Sequence, residues 1–315
     1  MTAPPVVVVG ASAGGVGALE KLASHLPRDL EAAVLVVLHV SPAGTSVLPQ
    51  ILQRAGPLSA AHAVDREPLV PTRIYVAPPD QHLLVDGGVV RVARGAPENG
   101  HRPAVDPLFR SAARSHGRSV VAVVLSGSLD DGSTGLCDVK EAGGVCVVQQ
   151  PSEALYPGMP EAAIRSGCVD HILPIADIAK LVTSSGLPPI SPGAPTTDEL
   201  GAMLGDADPH DFGDPSPFSC PECGGVLRVR EMAGPDRFRC RVGHQFSVES
   251  LVDRQQDMLD EALWAGYRAL QEQADLCRRV AERLRSIGNQ RSAEYASRAE
   301  EANRRAVVLR QVLMA

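Results

Sequence analysis

Four consecutive valines, Val6–Val9, run straight into Gly10-Ala11-Ser12-Ala13-Gly14-Gly15. A β-branched run without polar alternation reads as a strand buried on both faces. The small residues around Ser12 permit a sharp turn from that strand into a helix, with the hydroxyl lifted above the sheet edge. The helix expected over residues 15–25 aims its N-terminal N–H groups back at the turn. A chain that opens this way builds a strand–turn–helix unit, and what the serine does depends on what the later units bring to it.

The alternation continues to about residue 184. Strands are predicted over 6–9, 33–38, 73–77, 119–125, 145–149 and 169–172, and helices over 15–25, 47–55, 107–115, 134–142, 160–166 and 175–183. Asp106-Pro107 reads as the start of the third helix, Asp as N-cap and Pro in the first turn. One hairpin interrupts, 82–85 and 89–93 around Asp86-Gly87-Gly88. The pattern predicts an α/β fold, a doubly wound and mostly parallel sheet covered on both faces.

In such a sheet the carboxyl ends of the strands share one rim, where ligands bind. Ser12 follows the first strand, His39 closes the second in VLVVLHV, and Asp130-Asp131 follow the fourth in LSGSLDDG. A hydroxyl, an imidazole and a carboxylate at one rim are the parts of a nucleophile, its base and the group that orients the base. Taken singly, His39 is as well explained as a core histidine and either aspartate as a helix cap. A dinucleotide loop would require glycine where Ser12 stands and an acid where His39 stands. The order Ser, His, Asp also differs from that of the α/β-hydrolases, where the acid precedes the histidine.

Composition excludes other classes. The net charge is −7 and no basic run occurs, which argues against nucleic acid as a partner. The sequence has no apolar stretch long enough for membrane insertion and no basic leader, so a cytoplasmic location is expected.

In order along the chain, GAS at 10–12, LH at 38–39, YVAPPDQH at 75–82, HRPAVDPLF at 101–109, LSG and DG within 125–132, and PGMPEAA at 157–163 resemble the catalytic domain of CheB, the chemotaxis protein-glutamate methylesterase family. The resemblance implies the doubly wound fold and a Ser12–His39–Asp131 triad, the family's Asp-Gly step selecting Asp131 over Asp130. It implies an oxyanion site from the backbone N–H groups of Ala13 and Ser128, with no cofactor for catalysis. It further implies hydrolysis of γ-glutamyl methyl esters on a methylated chemoreceptor, with glutamine deamidation as a second activity. Arg102 is either a cation that orients the substrate's acidic surroundings or a structural partner of Asp106. The family commonly has Thr where Ala13 stands, and Gly-Met-Gly where Gly127-Ser128-Leu129 stands. With five residues ahead of the first strand, no receiver domain is expected in front. The rival readings are a serine esterase on another substrate and a non-catalytic signalling scaffold.

Residues 185–217 change character, crowded with Pro, Gly and Asp, and read as a linker. Asp206, Asp208, His210, Asp211 and Asp214 fit a solvated acidic segment better than a metal loop. Cys220-x2-Cys223 and Cys240-x3-His244 follow, two ligand pairs suited to tetrahedral structural zinc in a ribbon-like module over 218–247. Cys137, Cys146, Cys168 and Cys277 read as small buried hydrophobes. Over 248–315, Leu263, Tyr267, Leu270, Ala274, Cys277, Ala281 and Leu284 step by four and three, and Tyr295, Ala299, Ala302, Ala306, Leu309 and Leu313 repeat the stepping after Gly288-Asn289. That pattern predicts an antiparallel coiled hairpin, through which the chain binds a regulator or self-associates.

Overall fold

A computed structural model of the chain describes residues 3–188, 190, 212–231 and 235–314. Asp206, Asp208, His210 and Asp211 lie outside them. The chain divides into two compact units, Met1–Leu251 and Val252–Ala315.

The first unit is built on a seven-stranded sheet. Its strands are β1 (Val6–Ala11), β2 (Ala33–Leu38), β3 (Ser59–His62), β4 (Arg73–Val76), β7 (Val120–Val124), β8 (Val145–Gln149) and β9 (His171–Leu173), in the order β3-β4-β2-β1-β7-β8-β9. Every pairing is parallel. The helices are α1 (Gly15–His25), α2 (Leu48–Ala55), α3 (Val105–His116), α4 (Ser133–Glu141), α5 (Gly158–Arg165) and α6 (Ile175–Ser184). The alternation of side chains along a strand divides the four valines between two cores. Val6 and Val8 pack with Leu108, Phe109, Leu136 and Met159 from α3, α4 and α5. Val7 and Val9 pack with Leu19, Leu22, Leu52 and Ile178 from α1, α2 and α6. The hairpin of β5 (His82–Asp86) and β6 (Val89–Ala93) joins the first of these cores through Leu83, Val85 and Val90. Because β2 lies on one side of β1 and β7 on the other, the strand order reverses at β1, and the carboxyl ends of β1 and β7 flank the resulting crevice.

Three sequence expectations change. β3 was not foreseen: Ser-Ala-Ala-His has no β-branched residue, and it pairs only as an edge strand beside β4. α3 begins at Val105, two residues before Pro107, with Ala104 at the N-cap position. Asp106 is therefore not the cap; its carboxylate instead takes the Gly135 N–H at 2.6 Å. Cys137 and Cys168 are not separate hydrophobes but a disulfide, because α4 and the turn after α5 bring their Cα atoms to 5.1 Å. Cys146 and Cys277 remain free and buried.

The same unit ends in an antiparallel sheet, β10 (Asp214–Ser219), β11 (Val226–Arg230), β12 (Arg237–Cys240) and β13 (Gln245–Ser247), around Leu227, Phe238, Phe246 and Leu251. β10 starts inside the segment read as linker. As an edge strand it accommodates Pro215 and Pro217, which have no N–H to give. α7 (Val248–Ser286) begins in this unit and continues through the second, where α8 (Ser292–Leu313) returns antiparallel beside it. Ala274, Cys277, Ala281, Ala299, Ala302 and Ala306 are buried, as their stepping predicts. No helix among the described residues is long and apolar enough to cross a membrane.

Candidate active site

The turn after β1 is held in place by Ser126, just past β7. The Ser12 N–H donates to the Ser126 carbonyl at 2.9 Å, and the Ser126 hydroxyl donates to the Ala13 carbonyl at 2.8 Å. Gly14 adopts a left-handed φ of 71°, which lets α1 start immediately after the serine. A Cβ on Gly127 would stand 2.0 Å from Met159 Sδ and 2.9 Å from Ser12 Cβ, so the two loops approach this closely only because residue 127 is glycine.

His39 leaves β2 with its N–H bonded to the Ala11 carbonyl at 3.1 Å, beside the serine turn. Its Nδ1 lies 3.1 Å from Ser12 Oγ and its Nε2 lies 2.7 Å from Asp131 Oδ2. An ionised carboxylate only accepts, so Nε2 carries the proton and Nδ1 is left to accept from the serine hydroxyl. The side chains of His39 and Asp131 are 7% and 2% exposed, which keeps water out of that bond.

Asp131 is saturated with donors. Oδ2 also accepts from the Val105 N–H at 2.7 Å, and Oδ1 from Asn99 Nδ2 at 3.0 Å and the Asp106 N–H at 3.2 Å. Val105 and Asp106 are the first two residues of α3, so Asp131 caps that helix from outside, in place of Ala104, and sits at the positive end of its dipole. Burial pushes the Asp131 carboxyl up, but His39, the Val105 amide and nearby His101 together hold it well below the usual carboxylate range. Neighbouring Asp106 goes the other way: burial and then the charge of Asp131 push it up to about 7. Asp130 faces elsewhere, accepting from Ser250 Oγ at 2.6 Å, with its carboxyl raised by burial.

The amides of Ala13 and Ser128 donate to no protein group among the described residues. Ser128 is exposed, and Leu129 after it takes a left-handed φ of 60°. That conformation costs a non-glycine residue roughly 1–2 kcal/mol. Leu129→Gly is therefore expected to raise the stability of this unit by about 1 kcal/mol net of glycine's larger chain entropy. The urea midpoint of sheet unfolding measures it.

Arg102 does not pair with Asp106. Its Nε donates to Asp80 Oδ1 at 2.8 Å and its Nη1 to the Gly95 carbonyl at 2.6 Å, because the 79–82 turn, not α3, lies against it. Sequence reasoning passed over three residues that the fold places at the site: Ser126, Asn99 and His101. The His101 ring stacks on His39 with centroids 3.7 Å apart, fixing the plane of the imidazole. The signal for two of them lay in the LSG and HRPAVDPLF blocks, which carry Ser126 and His101.

A second cluster lies on the antiparallel sheet. Cys220, Cys223, Cys240 and His244 bring their ligand atoms within 4.8 Å of one another. His244 Nδ1 is 3.6 Å from Cys220 Sγ and 3.4 Å from Cys240 Sγ, and Cys223 Sγ is 3.7 Å from Cys240 Sγ. Bonds of about 2.3 Å to sulfur and about 2.0–2.1 Å to nitrogen give a tetrahedron with edges of roughly 3.5–3.8 Å, so the group can hold a tetrahedral metal ion.

The family model described as CheB methylesterase matches residues 7–182, more than half of the 315-residue chain. Protein-glutamate methylesterase/protein-glutamine glutaminase 4 of Myxococcus xanthus is 39% identical over 185 residues, covering 58% of this chain and 52% of the relative. The protein of the same description numbered 6 in Anaeromyxobacter dehalogenans is 43% identical over 176 residues, covering 53% of this chain and 50% of the relative. The chain thus spans about half the length of these relatives. The crystal structure of the Thermotoga maritima CheB methylesterase catalytic domain superimposes with a TM-score of 0.56 at 31% identity, covering 59% of this chain and 100% of that one.

Proposed function

We propose, for a chain that belongs to the CheB methylesterase family, that it hydrolyses γ-glutamyl methyl esters on a methylated chemoreceptor, with glutamine deamidation as a second activity of the same site. One observation carries the reading: His39 lies within hydrogen-bond reach of Ser12 on one ring nitrogen and of Asp131 on the other. A serine hydroxyl is a weak nucleophile until a base takes its proton, and an imidazole with its far N–H on a buried carboxylate is such a base.

In the proposed reaction Ser12 Oγ attacks the ester carbonyl as His39 Nδ1 takes its proton. Asp131 holds the imidazolium that forms. The Ala13 and Ser128 amides receive the oxyanion, each such donor being worth about 3–4 kcal/mol in the transition state. His39 returns the proton to departing methanol, and a water molecule, activated by the same ring, frees the acyl-enzyme as a glutamate. Arg102 we place with the scaffold, since its guanidinium is committed to Asp80 and the Gly95 carbonyl. Leu155 and Tyr156, exposed and beside Gly14, give the rim an apolar face suited to a protein substrate.

Within the same proposal, residues 1–184 are the catalytic domain, 185–213 a linker, 214–247 a structural zinc module held by Cys220, Cys223, Cys240 and His244, and 248–315 a coiled hairpin for a regulator or a second copy. When bound, the ion would supply folding energy to a sheet with few core residues. We place the protein in the cytoplasm. The test is methanol release from a methyl-esterified receptor fragment. Turnover is expected with the intact chain; labelling of Ser12 by a fluorophosphonate without methanol release would assign the triad to a different ester.

A further inference from the structure

The antiparallel sheet touches the apparatus that holds Asp131. β13 follows directly after His244, and its Gln245 lies parallel to Glu98 in a short bridge, where the Asn99 N–H donates to the Gln245 carbonyl at 2.8 Å. Gln245 Nε2 donates to Glu98 Oε1 at 2.9 Å. The Ser247 N–H donates to Asn99 Oδ1 at 2.9 Å, which fixes the amide so that Asn99 Nδ2 faces Asp131 Oδ1 and, at 2.9 Å, Asp106 Oδ2. Asn99 stands in a left-handed conformation, φ 52°, and is 4% exposed. An asparagine tolerates that backbone but does not hold it unaided.

Two further residues close the seam. Arg237 of β12 donates to the Thr134 carbonyl at 2.7 Å and to Asp138 Oδ2 at 2.5 Å, on the helix that follows Asp131. Ser250, at the start of α7, donates to Asp130, the residue next to the triad acid. Glu98, Asn99, Arg237, Ser247 and Ser250 are all buried. A polar seam this dry holds one arrangement only while every member keeps its partner.

We propose that the Cys3His module completes the catalytic centre from within the same chain: β13 fixes Asn99, Asn99 fixes the Asp131 carboxylate, and loading of the module with metal sets the rate of the chemical step. The inference rests on the reading of Ser12, His39 and Asp131 as the triad. The route is continuous. Cys240 and His244 bracket the turn between β12 and β13; β13 bonds Asn99; Asn99 bonds Asp131; Asp131 bonds His39. Asn99 is a positioning residue in this scheme. A metal-free turn would leave β13 without its anchor, and Asn99 Nδ2 would no longer be held against the carboxylate. Misplacing a catalytic group by about 1 Å costs on the order of 100-fold.

The experiment uses the full chain with its Cys137–Cys168 disulfide intact and the thiols of the module protected from oxidation, before and after removal of metal by a chelator and after return of Zn2+. It measures kcat and KM for ester hydrolysis, second-order labelling of Ser12 by a fluorophosphonate, and amide exchange of residues 98–101 and of β1 and β7. Expected on metal removal are a fall in kcat and labelling of at least about tenfold, unchanged KM, lost protection at 98–101, kept protection in β1 and β7, and recovery with Zn2+. Asn99→Ala is expected to give the same fall in kcat with the metal still bound. Wild-type kcat in either case overturns the proposal. So does loss of protection throughout β1 and β7, which would make the module a general folding element. If Ser12 fails to label in the metal-loaded chain, the triad reading falls first; if it labels equally fast with and without metal, only the coupling falls.

Discussion

Ser12→Ala is expected to lower ester hydrolysis by about 10^6-fold, the scale on which loss of a triad nucleophile is felt. The substitution deletes one oxygen. It leaves the backbone bond from residue 12 to the Ser126 carbonyl, and the φ of Gly14 that begins α1, untouched. Stability should therefore change by no more than about 0.5 kcal/mol. The loss would belong to chemistry and not to folding. Methanol release, with thermal unfolding of the same samples as the control, measures both. Turnover within tenfold of the parent would reject Ser12 as nucleophile.

Asp131→Asn is expected to lower kcat by about 10^4-fold, and here stability should fall as well. Four donors converge on the two carboxylate oxygens: His39, Val105, Asn99 and Asp106. An amide offers one oxygen and two N–H groups. If the oxygen turns to Asn99 and α3, His39 Nε2 faces a donor, the ring takes the other tautomer, and Nδ1 can no longer accept from Ser12. If the oxygen turns to His39, two buried donors lose their acceptor at about 1–3 kcal/mol each. The variant should also alter the pH dependence of stability. In the parent, burial and then the Asp131 charge raise Asp106 to about 7. The folded chain then keeps a proton that the unfolded chain, with a carboxyl of about 3.8, has lost, so stability declines as pH rises from about 4 to about 7. Removing the Asp131 charge lowers the folded Asp106 value and shallows that decline. Urea midpoints between pH 4 and 8 would show it; an unchanged slope would contradict the coupling of the two carboxylates.

The sheet was legible because its code is local. Val6–Val9 and Val120–Val124 are buried on both faces and say so in sequence. α1 and α6 followed from spacing to within a residue. β3 was not legible, since Ser59–His62 owes its strand to β4 beside it and not to its own residues. The site was half legible. Ser12 and His39 directly follow β1 and β2, and Asp131 lies in the loop between β7 and α4, so the order of adjacent strands brings all three toward one rim. The choice of Asp131 over Asp130 needed the family's Asp-Gly step, because both are buried and only the fold turns one to His39 and the other to Ser250. The start of α3 was misread for the same reason: its cap comes from a residue 26 positions later, which no local rule for helix ends can see. The Cys137–Cys168 pair and the seam between β13 and Asn99 are likewise products of tertiary contact.

The three strands that lead to Ser12, His39 and Asp131 are spatial neighbours but emerge from synthesis far apart. β7 inserts beside β1 only after more than a hundred residues have intervened, and long-range parallel pairing of this kind is slow to form. A nascent chain that has released β1 and β2 carries the serine and the imidazole with no acid to orient them. The carboxylate arrives later, and its helix and asparagine must close around it before the ring has a fixed tautomer. Under the proposed function, ester hydrolysis then awaits the segment from β7 onward, which supplies the carboxylate.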